Sequence, residues 1–194
     1  MNYHDNVKTE IECRLLECDV DKIIALLEKN NAKFIGDWLQ MRYCYDFFPV
    51  KENSWIRLRT NGKTTELTIK EINSDKIDGT KESEITVSDF NTTNEILNKL
   101  GYIARSKQEN RRIRYILDNV EVDIDFWPLI PTYVEFEGKC EQDIINVCKK
   151  LQINTNKLTS LEVASIYKQY GYNLSDLNEI TLEENRKPNN ILNK

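Results

Sequence analysis

V-D-I-D-F-W-P-L-I-P-T-Y-V-E-F-E-G, residues Val122 to Gly138, holds two alternating runs separated by a turn bracketed by Pro128 and Pro131. Val122 and Ile124 alternate with Asp123 and Asp125, and Val134 and Phe136 alternate with Glu135 and Glu137. A period of two is the signature of a strand, with one set of side chains on each face. The apolar set packs against outer elements, so the carboxylates crowd the opposite face. Ordinary solvated strand faces carry mixed charges without order, and these do not.

The same spacing recurs towards both ends of the chain. Glu10-x-Glu12-x-Arg14, Arg57-x-Arg59, Glu66-x-Thr68-x-Lys70, Glu82-x-Glu84, Arg112-x-Arg114 and Glu121-x-Asp123-x-Asp125 each place charge on one strand face. Strands are predicted over Thr9–Leu16, Met41–Phe48, Ser54–Thr60, Thr65–Glu71, Glu82–Val87, Gln108–Leu117, Val120–Phe126 and Tyr133–Glu137. Asn61-Gly62 and Asp118-Asn119 are hairpin signals. Apolar residues at helical spacing predict helices over Asp19–Asn30, Phe90–Gly101, Cys140–Leu151 and Leu161–Gly171. Mostly consecutive strands with few helices predict an α+β fold: an eight-stranded antiparallel β-barrel with helices packed outside and the charged sets lining its interior. Residues 1–174 are expected to form one domain and 175–194 a polar, flexible C-terminal tail.

The 194 residues suffice for one substantial domain. A net charge of −5 argues against a general nucleic-acid binder. No apolar run approaches the roughly 18 residues of a membrane span, and Met1 to Thr9 carries no apolar signal core. A soluble, cytoplasmic protein is expected. Cys13, Cys18, Cys44, Cys140 and Cys148 are odd in number and lack C-x-x-C spacing, so they read as reduced core residues. His4 is the single histidine, which excludes Ser-His-Asp and Cys-His catalysis and His-rich zinc sites. Chemistry then falls to carboxylates, lysines, arginines, tyrosines or a hard metal ion.

An interior lined with unpaired charge is penalised by several kcal/mol per group when empty. It becomes reasonable when wet and built for a highly charged guest. Guanidinium forks bind phosphate oxygens bidentately. Paired carboxylates suit Mg²⁺ or Mn²⁺, which reach protein through one or two carboxylates plus substrate phosphates. A nucleoside triphosphate or inorganic polyphosphate with its metal uses both sets.

These motifs also carry a likeness. The chain resembles the CYTH superfamily, the triphosphate tunnel metalloenzymes, and looks closest to its class IV adenylate cyclase-like branch. The family's E-x-E-x-K is similar to Glu10-Ile11-Glu12-Cys13-Arg14 here, and W-I-R-L-R (Trp55 to Arg59), L-T-I-K (Leu67 to Lys70), the Glu82/Glu84 pair, Q-E-N-R-R-I-R-Y (Gln108 to Tyr115) and Val122 to Gly138 follow in order. The likeness covers about Glu10 to Leu174 and implies an eight-stranded tunnel in which metal-bound triphosphate is cut or cyclised. Two positions depart from the pattern. Arg14 stands in the lysine position, and Asn110 stands where many members have a lysine. The missing phosphate contact at Asn110 is either absent or taken over by Lys107 or Arg114.

On this resemblance Glu10, Glu12, Glu135 and Glu137 are expected to hold Mg²⁺ or Mn²⁺. Arg57, Arg59, Lys70, Arg112 and Arg114 are expected to grip phosphate. Asp125 and Arg14 are the expected catalytic residues, with Glu82, Glu84 and Asp123 also lining the tunnel. Asp125 is preferred over Asp123 as the functional aspartate, while Asp123 and Glu121 either approach the tunnel mouth or serve solubility. If Glu135 and Glu137 are metal ligands, exchanging both for Gln relieves like-charge repulsion, so the metal-free variant is expected to be at least as stable as the native chain. Gly62-Lys63-Thr64 imitates the end of a P-loop, but Arg57 occupies the place of its first glycine. Tyr43, Tyr45, Phe47 and Phe48 read as wall packing, and Tyr167 and Tyr170 as core or tunnel-plugging residues. The run Arg111 to Arg114 is too isolated to indicate RNA.

The expected activity is metal-dependent hydrolysis of a nucleoside triphosphate, thiamine triphosphate or inorganic tripolyphosphate. The alternatives are cyclisation of ATP to cyclic AMP and pyrophosphate, and a non-catalytic polyphosphate- or nucleotide-binding module. The expected partner is a triphosphate-containing small molecule, with no nucleic acid or membrane, and the protein a monomer or homodimer.

Overall fold

The computed structural model describes residues 7–74 and 76–182. Eight strands form the barrel: β1 (Lys8–Leu15), β2 (Lys33–Tyr45), β3 (Ser54–Thr60), β4 (Thr65–Ile72), β5 (Thr80–Val87), β6 (Ser106–Leu117), β7 (Val120–Phe126) and β8 (Tyr133–Gly138). Around the sheet they run β6-β2-β3-β4-β5-β1-β8-β7, and β7 pairs back onto β6, so the sheet closes. Every one of these pairings is antiparallel. Closure removes free sheet edges. The predicted α+β barrel is the fold of the protein.

Four helices cover the outer face: α1 (Val20–Lys29), α2 (Phe90–Lys99), α3 (Glu141–Lys150) and α4 (Val163–Gln169). Asp19 caps α1 by accepting from the Lys22 N–H, and Asp89 caps α2 by accepting from the Thr92 N–H. Ile23, Leu26 and Leu27 of α1 and Ile144, Val147 and Cys148 of α3 pack on Val120, Val122, Ile124, Val134 and Phe136. Phe90 and Leu97 of α2 lie on Tyr45, Ile56 and Leu58. The strands thus bury their apolar residues outward, beneath helices, and turn their charged residues inward.

Asp118 and Asn119 both take positive φ, 50° and 64°, as a two-residue hairpin turn between β6 and β7 requires. At Asn61-Gly62 the loop is longer: Asn61 Oδ1 accepts from the N–H groups of Lys63 and Thr64, and Gly62 has φ 82°. The largest departure is β2, which begins at Lys33 rather than Met41. Its first half exposes Phe34 and Leu39 and shifts register between Phe34 and Gly36, so it shows no clean alternation. Pairing with β6 from Lys33↔Ile116 to Cys44↔Ser106 makes it a strand. Tertiary context overrides local pattern there.

Beyond the barrel, β9 (Leu158–Thr159) pairs with β1 and β10 (Glu179–Ile180) pairs parallel to β6. Ile180, inside the segment expected as tail, is buried with Trp127, Ile130, Tyr133, Ile166 and Tyr167. The rest of that tail, 183–194, and His4 lie outside the described residues. Tyr45 and Tyr167 are core residues, as read from the sequence, whereas Phe48 is 92% exposed. Among the described residues no helix is long and apolar enough to cross a membrane.

Candidate active site

The barrel encloses a cavity of about 530 Å³. Glu10, Glu12 and Arg14 reach it from β1, Arg57 and Arg59 from β3, Glu66 and Lys70 from β4, and Glu82 and Glu84 from β5. Arg112 and Arg114 enter from β6, Glu121 from β7, and Glu135 and Glu137 from β8.

Strand order sorts these charges into two walls. The contiguous strands β6, β2 and β3 present Arg112, Arg114, Arg42, Arg57 and Arg59. The contiguous strands β5, β1, β8 and β7 present mainly carboxylates, and β4 forms the seam with Lys70 and Glu66.

On the acidic wall Glu12 and Glu137 are direct cross-strand partners. Like charges opposite one another are destabilising, and here each is relieved by a cation: Arg14 lies 3.0 Å from Glu12, and Lys8 2.5 Å from Glu137. Arg14 also donates from Nε to Glu135 at 2.8 Å and from Nη1 to the Leu161 carbonyl at 2.8 Å. Arg112 Nη2 lies 3.1 Å from the other Glu135 oxygen. Burial pushes the Glu135 carboxyl up, but Arg14 and Arg112 outweigh it and hold the group well below the usual carboxylate range. Burial and neighbouring Glu10 and Glu121 raise Glu137 despite its bond to Lys8.

Glu10 and Glu82 share a hydrogen bond, which needs one proton between them. Burial and that bond raise Glu82. Glu10 is lowered against its burial by the bond from Glu82 and by Lys70 and Arg57. Lys70 Nζ is 2.8 Å from Glu10, and Arg57 Nη2 is 2.8 Å from Glu82.

Asp123 and Asp125 stand behind this surface. Asp125 is fully buried; its two oxygens accept from Arg112, and Oδ1 also accepts from Asn110 at 2.9 Å. Asp123 is 3% exposed and accepts from both Arg112 and Arg114. Neither is among the residues lining the cavity. Together they pair with and fix the two arginines, and burial makes Asp123 part of the wall rather than a solubilising surface group.

The model of the CYTH domain matches residues 8–164. The chain belongs to the CYTH domain family. Comparison with curated proteins gave no match. Among solved structures, the PH1012 protein of Pyrococcus horikoshii shares the fold at a TM-score of 0.69 and 21% identity, over 81% of this chain and 98% of that one. A candidate adenylate cyclase of Vibrio parahaemolyticus is similar at a TM-score of 0.60 and 11% identity, over 92% and 95%. A candidate adenylyl cyclase of Hippeastrum, described as revealing a dominant triphosphatase activity, is similar at 0.55 and 13%, over 84% and 95%.

Within this CYTH barrel the donor chemistry fits Mg²⁺ or Mn²⁺: the acidic wall offers hard oxygens, and Glu12 and Glu137 face each other directly. Among the described residues no three such groups converge on one point. One or two carboxylates are the protein share that Mg²⁺ ordinarily takes when ligand oxygens complete its shell.

Sequence reasoning passed over Arg42, Gln108, Trp127 and Tyr133, which also line the cavity. Trp127 and Tyr133 lie inside the Val122–Gly138 stretch but carry no charge to flag them. Arg42 is a lone charge among aromatics on a strand read from only half its length. Lys107, offered as a substitute for the lysine lacking at Asn110, is not among the lining residues; its Nζ stands 5.5 Å from the Tyr43 ring centroid and 3.6 Å from Glu179. Arg114 does line the cavity.

Proposed function

We propose that the protein is a divalent-metal-dependent enzyme that hydrolyses a triphosphate, with a nucleoside triphosphate, thiamine triphosphate or inorganic tripolyphosphate as substrate. The observation that carries this reading is the division of one cavity into a basic and an acidic wall. A simple anion sensor has little use for the acidic wall, and a simple cation site has little use for the arginines. A metal-bound polyphosphate answers to both.

In this reading Arg57, Arg59, Arg112 and Arg114, with Lys70 at the seam, hold phosphate oxygens and offset the charge that develops during in-line displacement. Glu12 and Glu137, with Glu10 and Glu135 beside them, hold Mg²⁺ or Mn²⁺, which supplies charge stabilisation at the phosphoryl oxygens when bound. Water attacks the terminal phosphorus and gives up a proton to solvent, the bond to the bridging oxygen breaks, the remaining diphosphate portion departs with that oxygen, and the attacked group is released as inorganic phosphate. Arg14 remains charged throughout. It serves by fixing Glu12 and Glu135 rather than by moving a proton. Asp125 acts through Arg112, whose guanidinium it orients.

Incubation with ATP, GTP, thiamine triphosphate and tripolyphosphate in Mg²⁺ or Mn²⁺, with products identified by phosphorus NMR, tests the reading. Inorganic phosphate released from at least one substrate supports it. Cyclic AMP with pyrophosphate from ATP reassigns the reaction to cyclisation, and binding without any product reassigns the protein as a binding module.

A further inference from the structure

Among the described residues that line this cavity, Arg42 is a cation in no ion pair. Arg14, Arg57, Arg59, Lys70, Arg112 and Arg114 each lie in an ion pair. Arg42, 6% exposed, makes none among the described residues. Its Nη2 donates to neutral partners, Gln40 Oε1 at 3.0 Å and Asn110 Oδ1. Its guanidinium carbon lies 4.4 Å from the Trp127 ring centroid, and its Nε is buried with no acceptor. Arg57 Nε and Trp127 Nε1, on the same cavity, are buried without acceptors as well.

The backbone makes the position less comfortable still. Arg42 on β2 is the direct cross-strand partner of Arg59 on β3, and β2 is the middle strand of the basic wall. Like charges directly opposite repel, and an orphaned buried donor carries its desolvation penalty uncompensated. Burial, then Arg59, Arg57 and Arg112, push the Arg42 guanidinium down to about 9 against the opposing pull of Asp125, so it is still charged at neutral pH among neighbouring cations. A wall that sets Arg42 opposite Arg59, with no carboxylate among the described residues bridging them, suits an acceptor-rich anion.

We propose that Arg42 is a substrate-binding residue, supplying a phosphate contact from the centre of the basic wall with Trp127 supporting its guanidinium face. The proposal rests on the polyphosphate reading above and adds a residue to it. Phosphoryl oxygens in the cavity that Arg42 lines accept from its guanidinium and neutralise the Arg42–Arg59 repulsion. Cation–π stacking on Trp127 keeps the planar fork directed while leaving its edge free to donate.

The test is calorimetric titration of tripolyphosphate with Mg²⁺ into the native protein, Arg42→Gln and Arg42→Lys, with ligand-free melting of each. Arg42→Gln should weaken binding about tenfold or more, the scale of a lost charge-assisted hydrogen bond. Arg42→Lys should recover a large part of it. Ligand-free Arg42→Gln should melt no lower than the native protein, since a repelled cation is gone. Native binding in Arg42→Gln overturns the role of Arg42 and leaves the polyphosphate reading intact. Lower melting in both variants, with binding that lysine does not restore, makes Arg42 structural and overturns the proposal. A native protein that does not bind tripolyphosphate overturns the polyphosphate reading, and the proposal with it.

Discussion

Replacing Glu135 by Gln probes the joint between the acidic wall and its cations. The sequence pattern alone leads one to expect relief of like-charge repulsion with Glu137. The structure reverses that expectation for Glu135. One oxygen accepts from Arg14 Nε at 2.8 Å and lies 2.6 Å from Nη2, while the other is 3.1 Å from Arg112 Nη2. All three groups are nearly buried. Hydrogen bonds to charged groups contribute about 1.5–3 kcal/mol each, and breaking a buried ion pair costs about 3–5 kcal/mol. Gln keeps one acceptor but turns an amide donor towards an arginine. Arg112 retains Asp123 and Asp125, and Arg14 retains Glu12 and the Leu161 carbonyl. A loss of about 3 kcal/mol at neutral pH is therefore expected, towards the lower end of the buried-pair range. The sign with pH follows from the depressed carboxyl. Its contribution is complete above the unfolded value of 4.5 and is lost as pH falls through the folded value. Urea unfolding in EDTA at pH 7 and at progressively lower pH should show the gap between native and variant proteins narrowing below about pH 4.5. A gap under about 1 kcal/mol at pH 7, the scale of an exposed pair, or one that stays constant into acid, refutes the reasoning.

Chelation should abolish turnover while leaving circular dichroism and the melting transition of a folded protein; turnover that survives EDTA removes the metal from the proposal. Arg57→Ala should weaken tripolyphosphate binding by about 1.5–3 kcal/mol by calorimetry, and native affinity would make Arg57 a purely structural partner of Glu82 and Glu84. Glu82→Gln should flatten the pH dependence of metal-free stability. Because the folded carboxyl is raised from 4.5, the native protein takes up a proton on folding and loses stability as pH rises between about 5 and 8, so equal slopes in urea titrations of the two proteins would dissolve the shared-proton pair with Glu10.

The barrel was legible because its strands obey a strict division of labour. Ile11, Cys13 and Leu15 face helices while Glu10, Glu12 and Arg14 face the cavity, and the same split recurs at Ile113 and Tyr115 against Arg112 and Arg114. Period two survives in the sequence whenever both faces are chemically distinct. The first half of β2 was not legible, because Phe34 and Leu39 remain exposed and the strand owes its state to β6, which lies far along the chain. Cavity-lining residues that occur as charged pairs were legible from their spacing. Arg42 was missed because a single charge has no spacing, and its meaning appears only when Arg59, Asn110 and Trp127 are brought to it. Nor does spacing reveal depth: Asp123 and Asp125 share a strand face with Glu121, yet Glu121 lines the cavity and the two aspartates lie behind the arginines.

The separation into two walls arises from strand order rather than sequence order. Along the chain, acidic and basic motifs interleave: Glu10 and Glu12, then Arg57 and Arg59, then Glu82 and Glu84, then Arg112 and Arg114, then Glu135 and Glu137. Closure through β6–β7 and the placement of β1 between β5 and β8 regroup them, so that three arginine-bearing strands adjoin and four carboxylate-bearing strands adjoin. Ion pairs bridge the walls and offset the charge of the interior. Arg57 reaches Glu82, Arg112 reaches Glu135, and Lys70 reaches Glu10. Each bridge partner sits on a different strand, so these ion pairs fasten the two halves of the barrel and are also the contacts that a phosphate or a cation entering between them must compete for. Under the proposed function, the residues that fasten the barrel walls are therefore also the ones that contact the ligand, and a substitution there is expected to shift folding stability and ligand affinity in the same experiment.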